Sequence, residues 1–85
     1  MTHQVHAEDP AVKSLLSQVQ ARKSLPSVPV RKAIRVAAGA SVAAVAAACG
    51  VYEMTVIRWE TGERTPRGEN LERYVEVLRL LQDAV

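Results

Sequence analysis

Apolar residues recur along this chain at helical intervals of three and four, and no segment alternates apolar with polar positions in the two-residue period of a strand. Val12, Leu15, Leu16 and Val19 mark a first amphipathic helix. It opens at Asp9-Pro10, a capping acid followed by a proline suited to the first helical turn, and runs to about Lys23. Four apolar anchors make a marginal helix, so it must dock on something. Leu25-Pro26-Ser27-Val28-Pro29 predicts a stiff extended connector, because each proline fixes its own φ and biases the preceding residue away from helix. A second helix opens at Pro29, with Val30, Ile34, Ala37 and Ala38 expected inward and Arg31, Lys32 and Arg35 toward one edge.

The stretch from Gly39 to Gly62 carries most of the information. Ser41 is placed to cap a short helix that runs to about Ala48 with Val45, Ala46 and Cys49 on its inner stripe. Gly50 stands where that helix must stop and turn, a position that often needs positive φ. The next helix spans about Glu53 to Thr61 and stops at Gly62. Two helices so closely joined cross at roughly 90 to 120° and leave the second one projecting. Val56 and Trp59 take its inward face, Ala46 keeps the two axes close, and Glu53, Met54, Ile57 and Arg58 are left pointing outward.

After a loop at residues 63–68, a last helix from about Glu69 to Gln82 carries one apolar face of Leu71, Tyr74, Val75, Leu78 and Leu81. Val77, Leu80 and Ala84 form a second stripe beside it. So much apolar surface calls for a cover, either the N-terminal helix or a second copy of the chain. The fold class is therefore all-α: a compact bundle of about five helices, with residues 1–24 a polar tail plus amphipathic helix and residues 25–85 the main domain.

Composition narrows the chemistry. Eighty-five residues build one small domain without room for a deep catalytic pocket, and no acid and base pair, metal-ligand cluster or phosphate loop stands out, so no enzyme, cofactor, metal or small-molecule ligand is expected. The single cysteine, Cys49, cannot form an intrachain disulfide and reads as a small core residue. His3 and His6, without further ligands, read as part of a solvated tail. No apolar run approaches a membrane span and the start lacks a signal-peptide pattern, which predicts a cytoplasmic protein. The net charge of +2 is modest but uneven: residues 1–40 hold six basic against two acidic side chains, and residues 41–85 five against seven. Most of the later acids fall on the last helix, whereas Arg58, Arg64 and Arg67 lie on or just after the projecting one, a local charge suited to a phosphate-facing edge.

The order Arg35, Gly39, Ser41, Val45-Ala46, Gly50-Val51, Val56, Trp59-Glu60-Thr61-Gly62, Arg64 and Pro66 resembles the lambda-repressor-like (Xre/Cro type) helix-turn-helix of bacterial and phage transcription regulators, over about residues 30 to 82. The run from Leu25-Pro26 through Pro66-Arg67-Gly68-Glu69-Asn70 further resembles an actinobacterial or actinobacteriophage subgroup. The resemblance implies a sequence-specific regulator that reads the major groove of double-stranded DNA with the helix at residues 53–61, as a homodimer. It also implies that Arg35 and Glu60 form an ion pair tying the helices together. The chain departs from the family at Val42, where many members carry glutamine, at Tyr52, where serine or threonine usually caps, and at Glu53 and Met54, which replace more polar reading residues.

The outward residues have chemistry suited to that role. Arg58 can donate two hydrogen bonds to guanine, Glu53 can accept from a cytosine amino group, and Met54 and Ile57 can touch a thymine methyl. Tyr52 and Thr55 can donate to phosphates, and Ser41, Arg64, Thr65 and Arg67 complete the candidate backbone contacts. A competing expectation treats the same fold as a scaffold for protein contact, antitoxin-like or a transcription accessory, with Met54, Ile57 and the alanine surface of Ala43, Ala44, Ala47 and Ala48 as the docking face.

Overall fold

A computed structural model describes residues 5–85, and over them the chain is entirely helical. The five helices are α1 (Pro10–Ser24), α2 (Val28–Ala37), α3 (Val42–Cys49), α4 (Glu53–Thr61) and α5 (Gly68–Asp83). His3 lies outside the described residues; His6 is exposed. Among the described residues no single helix is long and apolar enough to cross a membrane.

Local chemistry sets the helix ends. Asp9 Oδ1 accepts from the Ala11 amide at 2.8 Å and Pro10 is the first residue of α1, where its missing N–H costs nothing. Helix α2 starts at Val28, one residue before the expected proline, because Ser27 is extended and Pro29 sits in the first turn, where no intrahelical donor is needed. Ser41 Oγ accepts from the Ala44 amide at 3.0 Å, a side-chain cap on α3. That helix closes at Gly50, φ +70°, where the Val51 amide reaches back to the Ala46 carbonyl and the Gly50 amide to that of Ala47.

Helices α2 and α3 meet at 106°, and α4 crosses beneath them. Ile34, Val45, Ala46, Cys49, Val56, Trp59, Tyr74 and Leu78 form the core. Ala46 is buried at the contact between α3 and α4, and the Trp59 and Tyr74 rings stack at 4.7 Å with a tilt of 44°. Such an aromatic pair contributes about 0.5 to 1.5 kcal/mol beyond the area it buries. Burial pushes the Tyr74 phenol up to about 12, and its hydroxyl has no hydrogen-bond partner among the described residues. Burial likewise raises the Cys49 thiol, against the opposing charge of Arg73.

Three assignments of helix faces are corrected. Helix α1 covers part of α5, but not through its apolar stripe: Leu15, Leu16 and Val19 are exposed and Val12 is half-buried, while Ala21 is the residue α1 buries. Ala21 is buried against α5, and Ser17 and Ser24, both exposed, flank it along a groove whose other wall includes Val75 and Leu78. On α2, Val30 and Ala37 are exposed and Ala38 only half-buried, leaving Ile34 as the apolar anchor. Arg31, expected at an edge, is buried instead: its Nε donates to the Pro26 carbonyl at 2.8 Å and its Nη1 to the Trp59 carbonyl at 3.0 Å. A cation there satisfies carbonyls that the connector and the last turn of α4 leave unpaired.

Candidate nucleic-acid interface

The surface around α4 is built by what the core withholds. Val56 and Trp59 are buried, which fixes the rotation of the helix and turns Glu53, Met54 and Ile57 to solvent, with Arg58 half-exposed at the flank. Met54 is 52% and Ile57 40% exposed, large values for apolar side chains on a nine-residue helix. Glu53 occupies the first turn, where the helix dipole favours a negative charge. Tyr52 stands just before it and is almost fully exposed; it makes no side-chain cap, and its carbonyl receives the Thr55 amide instead.

Beyond Gly62 the loop folds back on α4. The Arg64 amide donates to the Arg58 carbonyl at 3.1 Å, and Pro66 is buried, so the loop is held at both ends. Between loop and helix lies an open, largely polar concavity that brings together Thr55, Arg58, Arg64, Thr65 and Arg67. Arg58 Nε stands 3.6 Å from Glu63 Oε2, an exposed pair, and not beside Glu53. Exposed pairs of this kind contribute about 1 kcal/mol or less, so Arg58 is easily released to another acceptor.

Other candidates lie apart from this concavity. Glu53, Met54, Ile57 and Tyr52 face outward along α4 and its approach, and Ser41 stands at the start of α3 with its oxygen already engaged as a cap. Arg35 and Glu60 make a bidentate pair within the bundle: Nε to Oε2 at 2.6 Å and Nη2 to Oε1 at 3.0 Å, with Arg35 Nη1 also donating to the Ala40 carbonyl at 3.0 Å. The Glu60 carboxylate holds the Arg35 guanidinium above its ordinary value, against the opposing effect of burial. Val42 is half-buried and packs on the core, so the start of α3 offers no amide side chain at that position.

Four residues of the concavity were not among the expected contacts: the buried Trp59 and Pro66, and two exposed polar ones. Asn70, exposed in the first turn of α5, presents an amide beside the three arginines, and Glu63 supplies the one carboxylate of the lining. The sequence signal for Asn70 is its place just inside a helix that follows a basic loop, where free backbone N–H groups and a side-chain amide point the same way. Arg73 is a further unexpected brace: Nη1 lies 3.4 Å from the Cys49 carbonyl, across the turn at Gly50.

A family model described as a helix-turn-helix domain matches residues 32–85, well over half of the chain, and the chain belongs to that family. The match agrees with the Xre/Cro-type likeness and implies DNA binding. No curated protein and no solved structure matches the chain.

Proposed function

Given membership of the helix-turn-helix family, we propose that this chain is a sequence-specific transcription regulator of the phage repressor/Cro type, acting on DNA in the cytoplasm as a homodimer on a two-fold site. In this reading residues 25–85 are the DNA-binding domain and residues 1–24 an appended tail and helix. The observation that carries it is the pairing of an outward α4 face with a concavity holding Arg58, Arg64 and Arg67 at its flank.

Helix α4 enters the major groove. Arg58 exchanges its loose contact with Glu63 for guanine O6 and N7, a bidentate contact that discriminates by about 1 to 3 kcal/mol and so outweighs the exposed pair it replaces. Glu53 accepts from a cytosine amino group, while Met54 and Ile57 meet thymine methyls. Ser41, Tyr52, Thr55, Arg64, Thr65 and Arg67 hold the backbone and set register without reading sequence.

The test starts from a site obtained by random-sequence selection on the purified chain. Arg58→Ala, shown by circular dichroism to be folded, loses preference at one base pair per half-site. Arg64→Ala and Arg67→Ala weaken binding to every sequence and reduce the salt slope by about one unit each. Unchanged operator binding by the folded Arg58→Ala variant defeats the assignment. The exposure of Met54 and Ile57 favours a second reading, a helix-turn-helix scaffold that docks a protein partner. Affinity for mixed-sequence DNA that is absent, or indifferent to salt, selects that reading over the first.

A further inference from the structure

The stripe of α1 that the bundle leaves uncovered has a symmetry of its own. Leu15 and Leu16 are 59% and 54% exposed, with exposed Val19 on one side and half-buried Val12 on the other. At about 100° per residue this stripe lies roughly 160° around the helix from the Ser17, Ala21 and Ser24 side that lines the groove against α5. It therefore faces away from the bundle that carries it. Its ends are oppositely charged: Glu8 and Asp9 before the helix, Arg22 and Lys23 in its last turn. Among the described residues none of these four forms a salt bridge within the chain.

We propose that α1 is the dimer contact, pairing antiparallel with α1 of a second copy about a two-fold axis that passes between Leu15 and Leu16. That single register satisfies every feature of the stripe at once. Leu15 meets the second copy's Leu16, Val12 meets its Val19, and the acids at the start of one helix fall opposite the bases at the end of the other. The contact is isologous, so each pairing occurs twice. Charge complementarity also selects against the parallel arrangement, which would set like charges side by side at both ends.

This deepens the dimeric part of the function proposed above and gives it geometry. Because the docked residues lie in the C-terminal half of α1, an antiparallel pair sends the two bundles to opposite ends of a helix pair about 22 Å long. Two α4 helices held apart in that way suit half-sites about one turn of DNA, roughly 34 Å, from each other.

Sedimentation equilibrium of the full chain without DNA, from micromolar to millimolar concentration, tests the contact. The unmodified chain forms a reversible dimer. Leu15→Lys/Leu16→Lys, which keeps the helical signal of the unmodified chain because both side chains are exposed in the single copy, raises the dissociation constant by roughly a hundredfold or more. Glu8→Lys and Lys23→Glu each weaken self-association several-fold, and an equimolar mixture restores it, since the heterodimer places lysines opposite glutamates at both ends. A chain that stays monomeric throughout, a dimer untouched by Leu15→Lys/Leu16→Lys, or a mixture no tighter than its components overturns the proposal. An untouched dimer leaves the two-fold reading standing with its contact elsewhere. Salt-dependent DNA binding by the monomeric variant separates failure of this contact from failure of the DNA-binding reading.

Discussion

Replacing Glu60 by alanine removes one half of an ion pair that joins α2 to the last turn of α4, and the structure sets the scale of the loss. The side chains of Arg35 and Glu60 are 12% and 6% exposed, so solvent screens the pair weakly. Both carboxylate oxygens are engaged, at 2.6 and 3.0 Å. In Glu60→Ala the guanidinium keeps the Ala40 carbonyl and loses its counter-charge while remaining largely desolvated. Stranding a buried charge in this way costs about 3 to 5 kcal/mol. A domain of 85 residues has a total stability of about 4 to 13 kcal/mol, at roughly 0.05 to 0.15 kcal/mol per residue. The variant is thus expected to lose roughly a quarter or more of its stability, seen in urea as a lower midpoint with an unchanged slope. In a thermal scan, at about 4 to 8 °C per kcal/mol, it melts at least about 12 °C lower. Arg35→Met/Glu60→Leu, which removes both charges and fills the space with apolar atoms, recovers most of the loss. A loss below about 1 kcal/mol in Glu60→Ala, or a double variant as unstable as the sum of the singles, refutes the reasoning.

Two further outcomes follow from groups in and around the core. The folded pKa of Tyr74, raised to about 12, lies above the ordinary value of about 10, so folding holds the phenolic proton more tightly. The associated stability is complete below pH 10 and falls by about 3 kcal/mol as pH climbs toward 12. Tyr74→Phe, which removes a buried hydroxyl that has no partner, is no less stable at neutral pH and lacks this share of the alkaline loss in urea titrations. Gly62→Ala destabilises more than Gly50→Ala in thermal melts, although both residues have positive φ and both substitutions incur about 1 to 2 kcal/mol of backbone strain. At Gly50 the new methyl meets the mobile end of Arg73, whereas at Gly62 it comes within 3.2 Å of Val28, whose branched side chain is stiff at the start of α2. Equal losses would show that Val28 yields.

What the sequence disclosed was whatever local chemistry enforces. Asp9-Pro10, Ser41, Gly50 and Gly62 mark helix ends because a cap or a left-handed residue acts over a few positions, and α1, α3 and α4 start or stop there. The inner faces of α3 and α4 were legible because Val45, Ala46, Cys49, Val56 and Trp59 leave one stripe each. The orientation of α1 was not. Periodicity reports that Val12, Leu15, Leu16 and Val19 share a face, but not what that face meets, and the side bearing the small Ala21 took the contact with α5. The concavity beside α4 was legible in its arginines and hidden in Asn70, whose approach depends on how the loop through Pro66 folds back.

Arginine is where composition misleads most in this chain. Its five donors in a fixed fork serve carbonyl groups at helix ends as well as phosphates, and sequence spacing does not distinguish the two uses. Here Arg31 binds the carbonyls of Pro26 and Trp59, Arg35 binds Glu60 and the Ala40 carbonyl, Arg73 reaches the Cys49 carbonyl, and Arg79 lies between Glu76 and Asp83. Arg31 and Arg35 join α2 to α4, and Arg73 joins α5 to the end of α3. The positive charge of Arg31 and Arg35 is spent inside the fold, so the uneven distribution between the two halves of the chain overstates what the first half can offer a polyanion. Beside α4 there remain Arg64, Arg67 and the loosely held Arg58, and all three line one concavity. Three cations against a helix face bearing Glu53 make a weak electrostatic anchor for one subunit. The dimer proposed above doubles them, and on that proposal the exposed face of α1 bears on DNA binding as much as α4 does.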